Sequence, residues 1–132
     1  MPFPWEDARA AMSGICFEAA LDDSGQTIVI RSAEDHIRYY DSVDSSNLCR
    51  RAVRREPFEF ADGARTLAGL WSYGTGCDAA HEVTDYAITD DVLTITLDFV
   101  TNGDCNYELI QPFWIGAEGV TDVQIVVDTP TP

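Results

Sequence analysis

The run "VLTITLDFV" alternates: Leu93, Ile95, Leu97 and Phe99 are apolar, and Thr94, Thr96 and Asp98 between them are polar. Successive side chains of a strand point to opposite faces, so this period of two predicts a half-buried antiparallel strand, dry on one side and wet on the other. Similar runs fill the second half of the chain: "PFEF", "RTLAGLWSY", "HEVTDYAIT", "YELIQPFWI" and "TDVQIVV". Between these runs stand "ADGA", "GTG", "DD", "NGD" and "AEG", all turn-favouring.

The first half reads differently. "PWEDARAAM" predicts a short helix with Pro4 in its first turn, and "GICFEAAL" and "QTIVIRS", joined by "DDSG", predict an opening β-hairpin. Ser32 suits a helix N-cap, and Asp35 stands three residues later where a capping box places its acid. Ile37, Tyr40 and Val43 or Asp44 then recur at helical spacing, which predicts one amphipathic helix over about 33–46. The expected class is α+β: an antiparallel sheet with one principal helix packed on it, an N-terminal hairpin and two disulfides. A single domain is expected over residues 1–128, with "DTPTP" beginning a Thr/Pro linker or a frayed end over 129–132.

The disulfides follow from strand register. If Asp90 and Asp91 form a two-residue turn, Thr89 faces Val92, Ile88 faces Leu93, Tyr86 faces Ile95 and Thr84 faces Leu97. Extended back, Cys77 falls opposite position 104, and a one-residue bulge at Asn102 and Gly103 brings it to Cys105. By elimination Cys16 pairs with Cys49. Each bridge closes a loop of about 30 residues, worth roughly 3.5 kcal/mol in the chain-entropy model. Such pairs form in an oxidising setting, so the expected location is extracytoplasmic: periplasm, cell surface or medium. The start "MPFPWEDARAAM" lacks the basic and apolar regions of an export signal, so an exported form is expected to have lost its leader.

Composition narrows the function. At 132 residues, 45% hydrophobic and with a mean hydropathy of -0.11, the chain has an ordinary folded composition. No apolar run approaches the ~20 residues of a spanning helix, so no membrane insertion is expected. The 23 acidic residues face 8 basic ones, for a formal charge of -15, and every base is arginine. Nucleic acid and anionic membrane would be repelled by such a surface. The acidity fits either a GC-rich genome or adaptation to high salt. Half of the arginines, Arg50, Arg51, Arg54 and Arg55, stand together in "CRRAVRREPF", either as a solvated connector or as a docking patch for an acidic partner or a second copy.

Catalytic and metal chemistry is weakly signalled. Cys77 and His81 are four apart in "GCDAAHE", but zinc needs three or four ligands and an oxidised Cys77 cannot be one. "NGDCNYE" offers Asn102, Asp104, Asn106 and Glu108 at the alternate spacing of a calcium loop, without the sixth-position glycine and with Phe113 where the bidentate acid belongs. Neither a nucleophile elbow nor a phosphate loop is present. No catalytic residue, metal or cofactor is therefore expected. The aromatics Trp71, Tyr73, Phe113 and Trp114 could line a carbohydrate or peptide groove.

The order "ICFEAAL…QTIVIRS…LCRR…LAGLWSYGTGC…HEV…LTITLDFVTNGDCNYEL…PFWI" resembles small uncharacterised bacterial envelope proteins, often lipoproteins. From Leu67 to Val127 the layout is also similar to the accessory domain of protease complexes, with Cys77 where that family's turn carries an aromatic. The leading expectation is an exported, non-catalytic binding or assembly module at the envelope or outside the cell; a protease-associated or protease-inhibiting module, which the second resemblance implies, and a small hydrolase are the alternatives. Its partner would be a protein or a second copy, held by Arg50, Arg51, Arg54, Arg55, Trp71, Tyr73 and Trp114.

Overall fold

The computed structural model describes residues 5–128. The elements are β1 (Trp5–Asp7), a 3-10 turn (Arg9–Met12), α1 (Phe17–Asp22), β2 (Ile28–Ile30), α2 (Ala33–Ser46), a second 3-10 turn (Ala61–Gly63), β3 (Arg65–Thr89), β4 (Val92–Glu118) and β5 (Asp122–Asp128). The class is α+β. A five-stranded sheet runs β1-β4-β3-β2 with antiparallel pairing throughout, and β5 adds to β4 in parallel. The anticipated linker at 129–132 and the placement of Pro4 lie outside the described residues.

α2 starts and stops where its chemistry dictates. The Ser32 hydroxyl accepts from the Asp35 amide at 3.1 Å, and Asn47 closes the helix in the left-handed conformation at φ 61°. Its buried face is His36, Tyr40 and Val43; Ile37, expected inside, is 55% exposed. His36 takes the inward position because its ring packs on Tyr40 and Phe60 and its Nε2 reaches Ala11 O at 3.2 Å.

Three other expectations change. "GICFEAAL" is not a strand: Cys16 caps α1, its Sγ accepting from the Ala19 amide, and the Glu-Ala-Ala-Leu run favours a helix intrinsically. The opening hairpin is therefore absent, and β2 pairs with β3 instead, Ile28 to Gly69 and Ile30 to Leu67. Within "PWEDARAAM", Trp5–Asp7 is a strand on β4 and only Arg9–Met12 turns helically. "PFEF" joins no ladder; Phe58 and Phe60 meet edge to face at 4.7 Å and fill space beside the sheet.

The largest surprise is continuity. "GTG" and "NGD" do not end strands; β3 runs 25 residues and β4 runs 27, paired with each other from Arg65 opposite Glu118 to Thr89 opposite Val92. The connecting turn is Asp90 and Asp91, both at positive φ (52° and 64°), as a type I′ hairpin requires. Val83 rather than Thr84 faces Leu97, because Thr84 is extruded as a bulge. The second irregularity falls where Cys77 stands against residues 103–106, and there the ladder bends sharply. Gly103, at φ 88°, lies against Cys77, where a Cβ would collide with the sulfur.

The bend folds one ladder into two layers. On the inner half, residues 65–76 and 107–118, Leu67, Trp71 and Trp114 face the helices with Met12, Ala20 and Phe60. The opposite face of the same half, Ala68, Leu70, Ile115 and Ala117, meets Leu93, Ile95 and Leu97 of the outer half and Val123 and Ile125 of β5. The alternation of "VLTITLDFV" is thus the inward face of the outer layer. A smaller cluster of Ala19, Tyr40, Val43 and Val53 surrounds the Cys16–Cys49 bond and fastens α1, α2 and the following connector together. Cys77 bonds Cys105 at the bend, with a Cα separation of 4.7 Å, so the pairing read from register and the one reached by elimination are both present, although residues 103–106 stand against Cys77 where a one-residue bulge was expected.

Candidate functional site

The proximity of inner and outer halves leaves a slot of about 400 Å³ on one side of the sheet. Its floor is residues 111–115 of β4, one wall is residues 79–81 of β3, and the other is Trp5, Asp7 and Arg9. β1 fixes that second wall by pairing Asp7 with Ile115, after which the Ala8 amide donates to Trp114 O at 2.8 Å. The chain then turns away into Arg9–Met12, leaving the slot open beyond it. A shallower apolar hollow of about 590 Å³ adjoins it, sharing Asp7, Arg9 and Pro112 and reaching Phe17 and Trp71.

Polar groups in the slot are few. The Arg9 guanidinium holds the Asp7 carboxylate at 3.0 Å. Burial alone would raise the Asp7 pKa, but hydrogen bonds from the Arg9 amide and side chain and its charge outweigh that and leave it lowered. His81 sits between the rings of Phe99 and Phe113, at 4.9 and 5.6 Å between centroids. Its Nε2 is 2.9 Å from the Ser72 hydroxyl, and burial lowers its pKa to about 4.

A histidine on a serine hydroxyl invites comparison with a nucleophile and its base. Three features of the pair bear on that comparison. A base near pKa 4 takes a proton poorly at neutral pH, Ser72 is 7% exposed, and among the described residues no carboxylate bonds the other ring nitrogen. Cys77, the only nearby thiol, is in a disulfide. Among the described residues no group of three or more His, Cys, Asp or Glu side chains is arranged to hold a metal ion. In "NGDCNYE", the Asn102 side-chain amide nitrogen donates to Asp78 at 3.0 Å and Glu108 accepts from the Tyr73 hydroxyl at 3.0 Å, so two of the candidate side chains make cross-strand bonds.

The residues singled out for partner binding do not form one surface. Trp71 and Trp114 are 3% and 1% exposed and meet edge to face at 5.1 Å; their rings are core and cannot present themselves to a partner. Tyr73 is exposed and engaged with Glu108. The arginines divide: Arg54 pairs with Glu56, and Arg55 bridges Asp41 and Asp44 at 2.7 and 2.9 Å while lying over the Tyr40 ring. Arg50 and Arg51 are exposed, and no ion pair joins either to a described residue. Phe113 does line the slot, whereas Trp5, Asp7, Arg9 and Gln111 carried no signal. Pairing of residues 5–7 with 115–117 is too remote in sequence for periodicity to reveal.

Two disulfides in so small a domain point to an oxidising, extracytoplasmic setting, and no described helix is long and apolar enough to cross a membrane. No protein-family model, curated protein or solved structure matches the chain.

Proposed function

We propose that the chain is an extracytoplasmic, disulfide-braced binding module that seats part of a partner protein in the slot between β1 and the bent β3–β4 ladder, without chemistry of its own. The observation that carries this reading is the slot itself. It is concave, has an apolar floor from Pro112, Phe113 and Ile115, and offers a few fixed polar groups at its walls, the usual make-up of a recognition site. Its floor and most of its walls belong to one paired sheet cross-linked at the bend, which limits the ordering needed on binding. The weak basicity of His81 and the burial of Ser72 favour recognition over hydrolysis.

The test is site-specific photo-crosslinking in the native cell, with the reactive side chain placed at Gln111 in the slot or at Arg51 in the connector. A defined adduct from position 111 is expected. Adducts from position 51 alone would move the site to the arginines, and ester turnover lost in Ser72→Ala would replace binding with catalysis. Protein recovered with free thiols from its native location would overturn the setting.

A further inference from the structure

Three consecutive residues of β3, Ala79, Ala80 and His81, line the slot. A strand that shows a face contributes alternate residues; one that contributes consecutive residues is presenting its edge. The partner of β3 on one side is β4 throughout, and on the other side β2 covers only Leu67 to Gly69. Among the described residues, no strand pairs with the outer edge at 79–81. At an antiparallel edge, alternate residues turn both N–H and C=O outward, so this wall is a set of unclaimed backbone donors and acceptors.

The edges differ in their protection. The floor strand carries Pro112, which has no N–H to give. Further along β3 the Thr84 bulge interrupts the ladder. Residues 79–81 have neither device, and two of the three are alanines that leave room above them.

Charge selects the occupant. Among the described residues that line the slot, the one arginine, Arg9, is already neutralised by Asp7. Asp78 and Glu82 stand at the two ends of the open segment, on a protein of formal charge -15. A second copy pairing through the same edge, centred on Ala80, would set Asp78 against Glu82 twice over, and like charges directly opposite are unfavourable. An acidic partner meets the same repulsion.

We propose that the slot takes an extended, cationic segment of another protein, which adds as a strand to the outer edge of β3 at residues 79–81. This rests on the binding reading above and names its partner chemistry. About 10 Å of added strand matches three residues at ~3.3 Å each, and basic side chains flanking the segment would meet Asp78 and Glu82.

The probe is an acetylated seven-residue peptide alternating lysine and valine, added to the intact chain with both disulfides formed. Amide exchange at residues 79–81 should slow at least tenfold. A peptide of identical charge, N-methylated at alternate nitrogens so that it cannot pair, should bind at least tenfold more weakly. Ala79→Leu, which fills the slot without changing charge, should weaken the unmodified peptide similarly while circular dichroism is unchanged; if that variant does not fold, the methylated peptide decides. Equal binding of the methylated peptide, or no protection at 79–81, overturns strand addition. Preferential protection by a glutamate–valine peptide overturns the cationic partner while leaving the broader binding reading intact.

Discussion

Ser72 and His81 lie nine residues apart on one strand, yet their side chains are hydrogen-bonded at 2.9 Å. Nine extended residues would separate them by about 30 Å, so β3 doubles back between them, and β4 must follow because it pairs on both sides of the bend. The Cys77–Cys105 bond, Gly103 and the four residues opposed to Cys77 are the local means by which the ladder turns.

Removing that bond should therefore act on both stability and shape. Cys77→Ala with Cys105→Ala is expected to lower the unfolding free energy by about 2–4 kcal/mol, and the Cys16 and Cys49 pair by a similar amount, since the loops are of similar length. The two variants should differ in hydrogen exchange: only the first should loosen Ser72, His81 and the slot. Equal local exchange in both would show that the bend holds without its cross-link. Peptide mapping without reductant should recover the two native pairs from wild-type protein.

The outer face of α2 and the core between the sheet layers make a second test. Ile37→Ala should change stability by no more than about 0.5 kcal/mol, whereas Leu97→Ala, fully buried between the layers, should cost about 2–5 kcal/mol in urea unfolding. A large effect at Ile37 would mean that the helix is rotated from the described orientation.

Acid should find His81. Its folded pKa of about 4 lies below the 6.5 of the free side chain, so the unfolded chain binds the proton first and stability rises with pH between those values. The contribution is complete above pH 6.5, falls as the pH drops, and levels off below pH 4. At about 1.4 kcal/mol per unit the ceiling is near 3, and partial exposure cuts it to on the order of 2 kcal/mol. His36, also lowered by burial, adds in the same direction. Subtracting the melting curve of His81→Gln from wild type isolates the slot histidine; parallel curves from pH 7 to 4 would show that folding leaves its proton affinity unchanged.

Arginine substitutions should separate the connector into two parts. Arg55→Gln removes contacts to Asp41, Asp44 and the Tyr40 ring and should cost about 1 kcal/mol. Arg50→Gln with Arg51→Gln should leave the melting temperature unchanged. A loss in the double variant would reveal an internal role for those two side chains.

Sequence patterns carried the fold class, α2 with its cap, the hairpin turn and the Cys77–Cys105 pairing, because each depends on neighbours or on one ladder's register, and Cys16–Cys49 followed by elimination. They failed where tertiary contact overrides local rhythm. "GTG" and "NGD" have the chemistry of turns, and here that freedom is spent on bending strands that continue. In "GICFEAAL" the helix-forming Ala19 and Ala20 are the residues the core buries, and flanking turn chemistry does not reveal that. The slot was invisible because its walls come from residues 5–9, 79–81 and 111–115, and only the bend brings them together.

A ribbon folded on itself has a further property: neither layer owns its backbone partners separately from the other. The rungs that hold the inner half continue without interruption of chain into the outer half, and the core cluster that includes both Leu70 and Leu97 is built largely from the same two strands. Losing either half exposes the apolar surface of the other and frees the same hairpin. The cooperative unit is thus the whole β3–β4 ribbon, and melting is expected to be all-or-none rather than layer by layer.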